Sequence, residues 1–182
     1  MIYTLDDVAN RLNSEELAQV EAASWVSEFG HKSDALTLTV GWANHVDKLD
    51  KDRRLPWEDH SVWTEHDLEA ALRIRDRLAQ ALSRLPAPVA ERLSAVVSEA
   101  DESFRGFTGD DTGARMARIA DVELAGRGWW WFRVPVDGPV AIDLSHYDAA
   151  GNYVGPSESD ESRLATPPVG HDDPAIPGPE AG

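Results

Sequence analysis

At 182 residues the chain has room for one domain and a tail, with a core large enough to need neither metal nor disulfide. It contains no cysteine, which excludes disulfide frameworks, thiolate zinc sites and cysteine nucleophiles together. The formal charge of −16, from 33 acidic and 17 basic residues, opposes binding to phosphate backbones, where cationic side chains supply most of the affinity, so no nucleic-acid partner is expected.

The opening Met1-Ile2-Tyr3-Thr4-Leu5-Asp6-Asp7 has neither a basic nor an apolar leader region. No run approaches the ~18 apolar residues of a membrane span. The expectation is a cytoplasmic protein with no membrane contact. Thr4 to Leu12 reads as a short helix, with Thr4 and Asp7 spaced as a capping pair. Ser14 then caps a helix predicted to reach Phe29, its apolar face formed by Ala18, Ala22, Trp25, Val26 and Phe29, with Gly30 as the C′ glycine. The phrase YTLDDVANRL resembles the first helix of excisionase-type helix-turn-helix domains. The next helix departs from that pattern: Ser14-Glu15-Glu16 places acids where a recognition helix carries basic and amide side chains.

Asp34 to Leu49 carries two patterns. Leu36, Leu38, Val40 and Trp42 alternate as in a strand, whereas Leu38, Trp42, Val46 and Leu49 recur at helical spacing over a longer stretch, which predicts helix. Thr64 is the N-cap of the clearest element, with Asp67 in the capping-box position and a stripe of Ala71, Ile74, Leu78, Leu82 and Leu85. Leu85-Pro86-Ala87-Pro88 breaks the run. A second helix restarts there with Val89, Leu93, Val96, Val97, Ala100 and Phe104 on one face, so a short prolyl link joins an antiparallel pair.

Phe107 to Gly113 reads as a loop. Beyond it, Trp129 to Val136 and Pro139 to Tyr147 flank Asp137-Gly138, the dipeptide of a tight hairpin turn, and Asp148 to Asn152 forms a second turn before Tyr153. From Gly155 the aromatic residues stop, prolines accumulate and −5 of the net charge gathers, the composition of a disordered segment. The predicted fold class is α+β. It comprises an N-terminal helical part with an antiparallel helix hairpin, a small antiparallel β-meander, and a disordered tail. Residues 1–154 form one domain and 155–182 the acidic, proline-rich tail.

Two segments are candidates for function. Trp129-Trp130-Trp131-Phe132 sets Trp129 and Trp131 on one side of a strand and Trp130 and Phe132 on the other, with Arg133 on the Trp129 side. Either both sides are buried within the domain, or one side offers aromatic surface to a partner, since indole is enriched in binding hot spots. The second segment, Trp57 to Asp67, gathers His60, His66, two tryptophans and four carboxylates. It reads as helix-start chemistry; as an alternative, His60 and His66 join His31 or His45 around a metal in a helical metal- or ligand-binding enzyme. Neither a phosphate-binding loop nor a nucleophile elbow occurs. The favoured expectation is a small acidic interaction protein that takes a basic protein partner, such as an immunity- or antitoxin-like inhibitor, through Trp129, Trp130, Trp131, Phe132 and Arg133. No cofactor is expected.

Overall fold

The computed structural model describes residues 2–26, 30, 32–112, 114–148 and 150–156. The fold is α+β: seven α-helices, a 3-10 helix and two small two-stranded antiparallel sheets among the described residues. No helix there is long and apolar enough to cross a membrane.

Helix α1 (Leu5–Ala9) starts as its sequence dictates. Thr4 Oγ1 accepts from the Asp7 N–H at 3.1 Å, and the Asp7 carboxylate accepts from the Thr4 N–H at 2.8 Å. Helix α2 (Ser14–Ala22) differs from the expectation at both ends. Its N-cap is Asn13, whose Oδ1 accepts from the Glu16 N–H at 2.9 Å while Glu16 reaches back to the Asn13 N–H. Its inward face is buried Glu16 and Val20 with half-buried Leu17, and Ala18 and Ala22 are exposed, because leucine and valine remove more apolar area from water than alanine. The helix stops at Ala22. Trp25 and Val26, both strand formers, leave it as β1 (Trp25–Val26), which pairs with β2 (Lys32–Ser33). Gly30, at φ +79°, lies in that connection instead of capping the helix, and Phe29 lies outside the described residues.

Helix α3 (Ala35–Asp52) is the centre of the molecule. Its N-cap Asp34 accepts from the Thr37 N–H at 2.7 Å, and Leu38, Trp42, Val46 and Leu49 are all buried, so the helical period governs this stretch. Helix α4 (Glu65–Leu82) begins at the predicted Thr64, whose N–H donates to Asp67 Oδ2 at 2.9 Å. Its predicted stripe is inside or half inside, and Leu68 and Leu72, absent from that stripe, are fully buried beside it. The Ser83–Pro86 turn folds helix α5 (Ala87–Phe107) back beside α4, as the prolyl link implies. Both helices nevertheless lay their apolar faces chiefly on α3 and touch each other much less. A buried polar knot locks the three together. Asp101 of α5 takes a two-pronged bond from Arg75 of α4 at 2.8 and 3.0 Å, and its Oδ1 also accepts the Trp42 indole N–H at 2.9 Å.

The C-terminal part departs from the predicted meander. Helix α5 runs directly into strand β3 (Thr108–Asp110), where a loop was expected. Of Trp129 to Val136 only β4 (Arg133–Pro135) is a strand, paired antiparallel with β3 in the register Thr108↔Pro135, Gly109↔Val134 and Asp110↔Arg133. Helix α6 (Arg115–Ile119) and the 3-10 helix Trp129–Phe132 lie between the two strands in sequence. Pro139 to Tyr147 is not the second arm of a hairpin. Pro139–Ser145 is helix α7, with Pro139 in its first turn, where a missing N–H costs nothing. Gly138, at φ +80°, turns the strand into that helix, and an added Cβ would lie 2.6 Å from the Arg53 Cα. The turn at 148–152 does form: Asp148 Oδ1 accepts from the N–H groups of Ala150 and Asn152, and Tyr147 bridges Tyr153. The predicted tail, beyond residue 156, lies outside the described residues.

Candidate functional site

The tryptophan run is seated by a 3-10 turn, and this changes which rings share a side. At three residues per turn, Trp129 and Phe132 fall on the same side, whereas a strand would separate them. Trp130 and Trp131 turn inward, at 8% and 0% exposure. The expectation that all three indoles supply partner surface is therefore corrected: two of them are core.

One carboxylate holds the buried pair. Asp76 of α4 accepts the Trp130 indole N–H at Oδ1 (2.8 Å) and the Trp131 indole N–H at Oδ2 (2.9 Å), and Arg127 pairs with Oδ2 at 2.5 Å. Each indole also faces a guanidinium. Arg105 stands 3.5 Å over Trp129, Arg75 4.2 Å over Trp130 and Arg127 5.9 Å from Trp131. Trp130 folds so closely over Gly128 that any side chain there would overlap its ring. Arg75 joins this corner to the Trp42–Asp101 knot, so the floor beneath the run is a continuous polar network. Asp76, Arg75 and Arg105 were not among the sequence candidates. The general signal was present, since buried indoles need acceptors, but nothing in the spacing singles out Asp76, which lies 54 residues before Trp130.

What remains open is Phe132, at 42% exposure, beside half-buried Trp129. Together with Arg105, Asp110 and Arg133 they line a shallow hollow of about 440 Å³. Arg133 is fixed by donating to Thr108 Oγ1 (2.9 Å), the Thr108 and Arg105 carbonyls and the Asp110 carboxylate (3.3 Å). Arg105 has the Trp129 ring as its neighbour, and Asp110 is almost fully exposed. Two guanidiniums against one carboxylate make this hollow locally positive within a negative molecule.

The second candidate segment is divided by the fold. His60 and His66 are both exposed, with His66 3.5 Å from Glu65. His45 Nδ1 donates to the Gly41 carbonyl (2.7 Å) and its ring lies tilted against Trp63, and His31 lies outside the described residues. No group of three or more histidine, aspartate or glutamate side chains is placed to hold a metal among the described residues. The segment does contribute Trp57 and Glu65 to a different cluster, which α7 and the residues after it complete. Trp57 donates to Asp143 at 2.7 Å, and Tyr147 donates to Glu65 at 2.7 Å. Burial pushes the Asp143 carboxyl above its ordinary value; the Trp57 bond pulls it down, and the nearby Glu65 charge pushes it up. Burial and the Glu65 carboxylate together push the Tyr147 phenol to about 12. The two carboxylates each meet a neutral donor, which fastens α7 to the start of α4.

Comparison with known proteins finds no match. No family model fits the chain, and no curated protein or solved structure matches it. The Glu65–Asp143 cluster is a fastening, with both carboxylates engaged by donors of the same fold. The Trp129–Phe132 hollow is instead a surface whose aromatic rim and Arg105 stay open to solvent, while Arg133 is held in place by its own acceptors.

Proposed function

We propose that the protein works by binding a protein partner through the hollow of Trp129, Phe132, Arg105 and Arg133. The observation that carries this reading is the half-open Phe132–Trp129 pair on a floor fixed by Asp76. An exposed aromatic on an immobile support loses little conformational freedom when covered, the property of a binding hot spot. The charge works at two ranges. The field of a −16 chain draws in a basic protein, whereas Arg105 and Arg133 favour an apolar side chain flanked by a carboxylate at the contact itself. An inhibitor of a basic enzyme, in the manner of an immunity protein, is the physiological form this reading favours.

The test is capture from an extract of the native host with the wild-type chain and with Phe132→Ala, in low and high salt, followed by identification of the bound proteins. A basic protein held by the wild type, released by salt and lost with Phe132→Ala is the expected result. Equal capture by both chains would overturn the assignment of the surface.

A further inference from the structure

We propose that a second, separate site lies on the outer face of α4, a cleft for a planar organic anion formed by Arg77, Gln80, Arg84 and Trp25. Arg77 and Gln80, three apart on α4, share one face and line one wall with Ala81, and Arg84, from the Ser83–Pro86 turn that follows the helix, extends it. Trp25, from the β1–β2 pair, supplies the opposite wall, and the Arg84 guanidinium lies 5.8 Å from its ring centroid. The cleft encloses about 400 Å³, within the range of small-ligand sites.

In a chain with 33 acids and 17 bases, most cationic side chains of the described residues meet a carboxylate. Arg77 and Arg84 do not: among the described residues, neither has an ion pair or a hydrogen bond to a carboxylate. Arg54, Arg105 and Arg115 also lack a carboxylate partner among the described residues, but Arg77 and Arg84 share one cleft. Both are exposed. Cations near the end of a helix complement its dipole, and Trp25 packs on the core and against Arg84, so the distinguishing feature is the open cleft these groups share. Two guanidinium side chains lining one cleft without a carboxylate partner are matched to an oxyanion, carboxylate or phosphate. The indole face beside them is matched to a flat ring. The ligand class is therefore a ring carrying an oxyanion, with the ring on Trp25 and the anionic group between Arg77 and Arg84. The cleft is independent of the hollow at Phe132, and either assignment can fail without the other.

The test is calorimetric titration of the full chain with adenosine monophosphate and with benzoate, and with inorganic phosphate and adenosine as partial ligands. At least one of the two ring-bearing anions is expected to saturate one site and to bind more tightly than either partial ligand. The double variant Arg77→Gln/Arg84→Gln, both changes on exposed side chains, is expected to weaken it about tenfold or more. Trp25→Ala is expected to bring the ring-bearing anion down to the affinity of its bare oxyanion, with far-UV circular dichroism checking that the fold is kept. Phe132→Ala is expected to leave the titration unchanged. No saturable binding of either ring-bearing anion, or undiminished binding in the double variant, would overturn the site.

Discussion

Replacing Asp76 with alanine removes the acceptor of two buried indole N–H groups at once. In the wild type these donate at 2.8 and 2.9 Å, and Arg127 adds an ion pair at 2.5 Å. A buried donor left without a partner costs about 1–3 kcal/mol, so the pair contributes on the order of 2–6 kcal/mol. The half-exposed ion pair contributes about 0.5 kcal/mol. Water entering the space left by the carboxylate satisfies part of this, which favours a loss of about 3 kcal/mol. For a chain of this size such a loss lowers the melting temperature by about 10 °C. Asp76→Asn keeps one carbonyl acceptor but turns its amide hydrogens toward the other indole, so it should fall between wild type and alanine. Urea unfolding followed by far-UV circular dichroism measures all three chains. An Asp76→Ala protein within about 1 kcal/mol of wild type would refute the reasoning, because the indoles would then have other acceptors.

Asp101→Ala strands the buried Arg75 guanidinium and the Trp42 N–H, and should cost about 3–5 kcal/mol by the same unfolding measurement. Gly41→Ala should stabilise by about 1 kcal/mol, since the helix gains propensity, and its new Cβ would sit 3.7 Å from Ile74 Cγ2, an ordinary contact. Asp143→Asn keeps the acceptor for Trp57 and removes a charge that burial disfavours. With the folded carboxyl raised, the wild type has its full contribution below the unfolded value of about 3.9 and loses it as pH rises through the raised value. The variant should therefore be more stable than wild type at pH 7 and equal to it at pH 3, as read from melting temperatures across that range.

The helical core was legible because long apolar stripes state their period. Leu38, Trp42, Val46 and Leu49 cover more than two turns, enough for the helical spacing to prevail over the shorter alternation of Leu36, Leu38, Val40 and Trp42. Thr64 with Asp67 and Thr4 with Asp7 marked helix starts through side-chain chemistry that acts locally. The C-terminal part was not legible for two reasons. Four aromatic residues in a row carry no period at all, so nothing in Trp129 to Phe132 distinguishes a strand from a 3-10 turn. In Pro139 to Ser145, Val140, Ile142 and Leu144 alternate like a strand, yet Val140 and Leu144 are also one helical turn apart, and seven residues are too few to decide.

The candidate site was half legible. The run at Trp129 did mark a surface, but its open members, Phe132 and Trp129, are paired by the 3-10 turn and flanked by Arg105 from another helix. The segment at Trp57 to Asp67 was rich in chemistry, and its true partners, Asp143 and Tyr147, lie some 80 residues downstream. Distance of that kind leaves no trace in spacing.

Asp76 concentrates three donors on a single acid, and this leaves the corner without redundancy. Substitutions at 76, 127, 130 and 131 are consequently epistatic: once the acid is gone, exchanging an indole for phenylalanine relieves a stranded donor where in the native chain it would only forfeit a bond. A lineage that drifted away from the acid would regain stability by giving up both indole donors in concert.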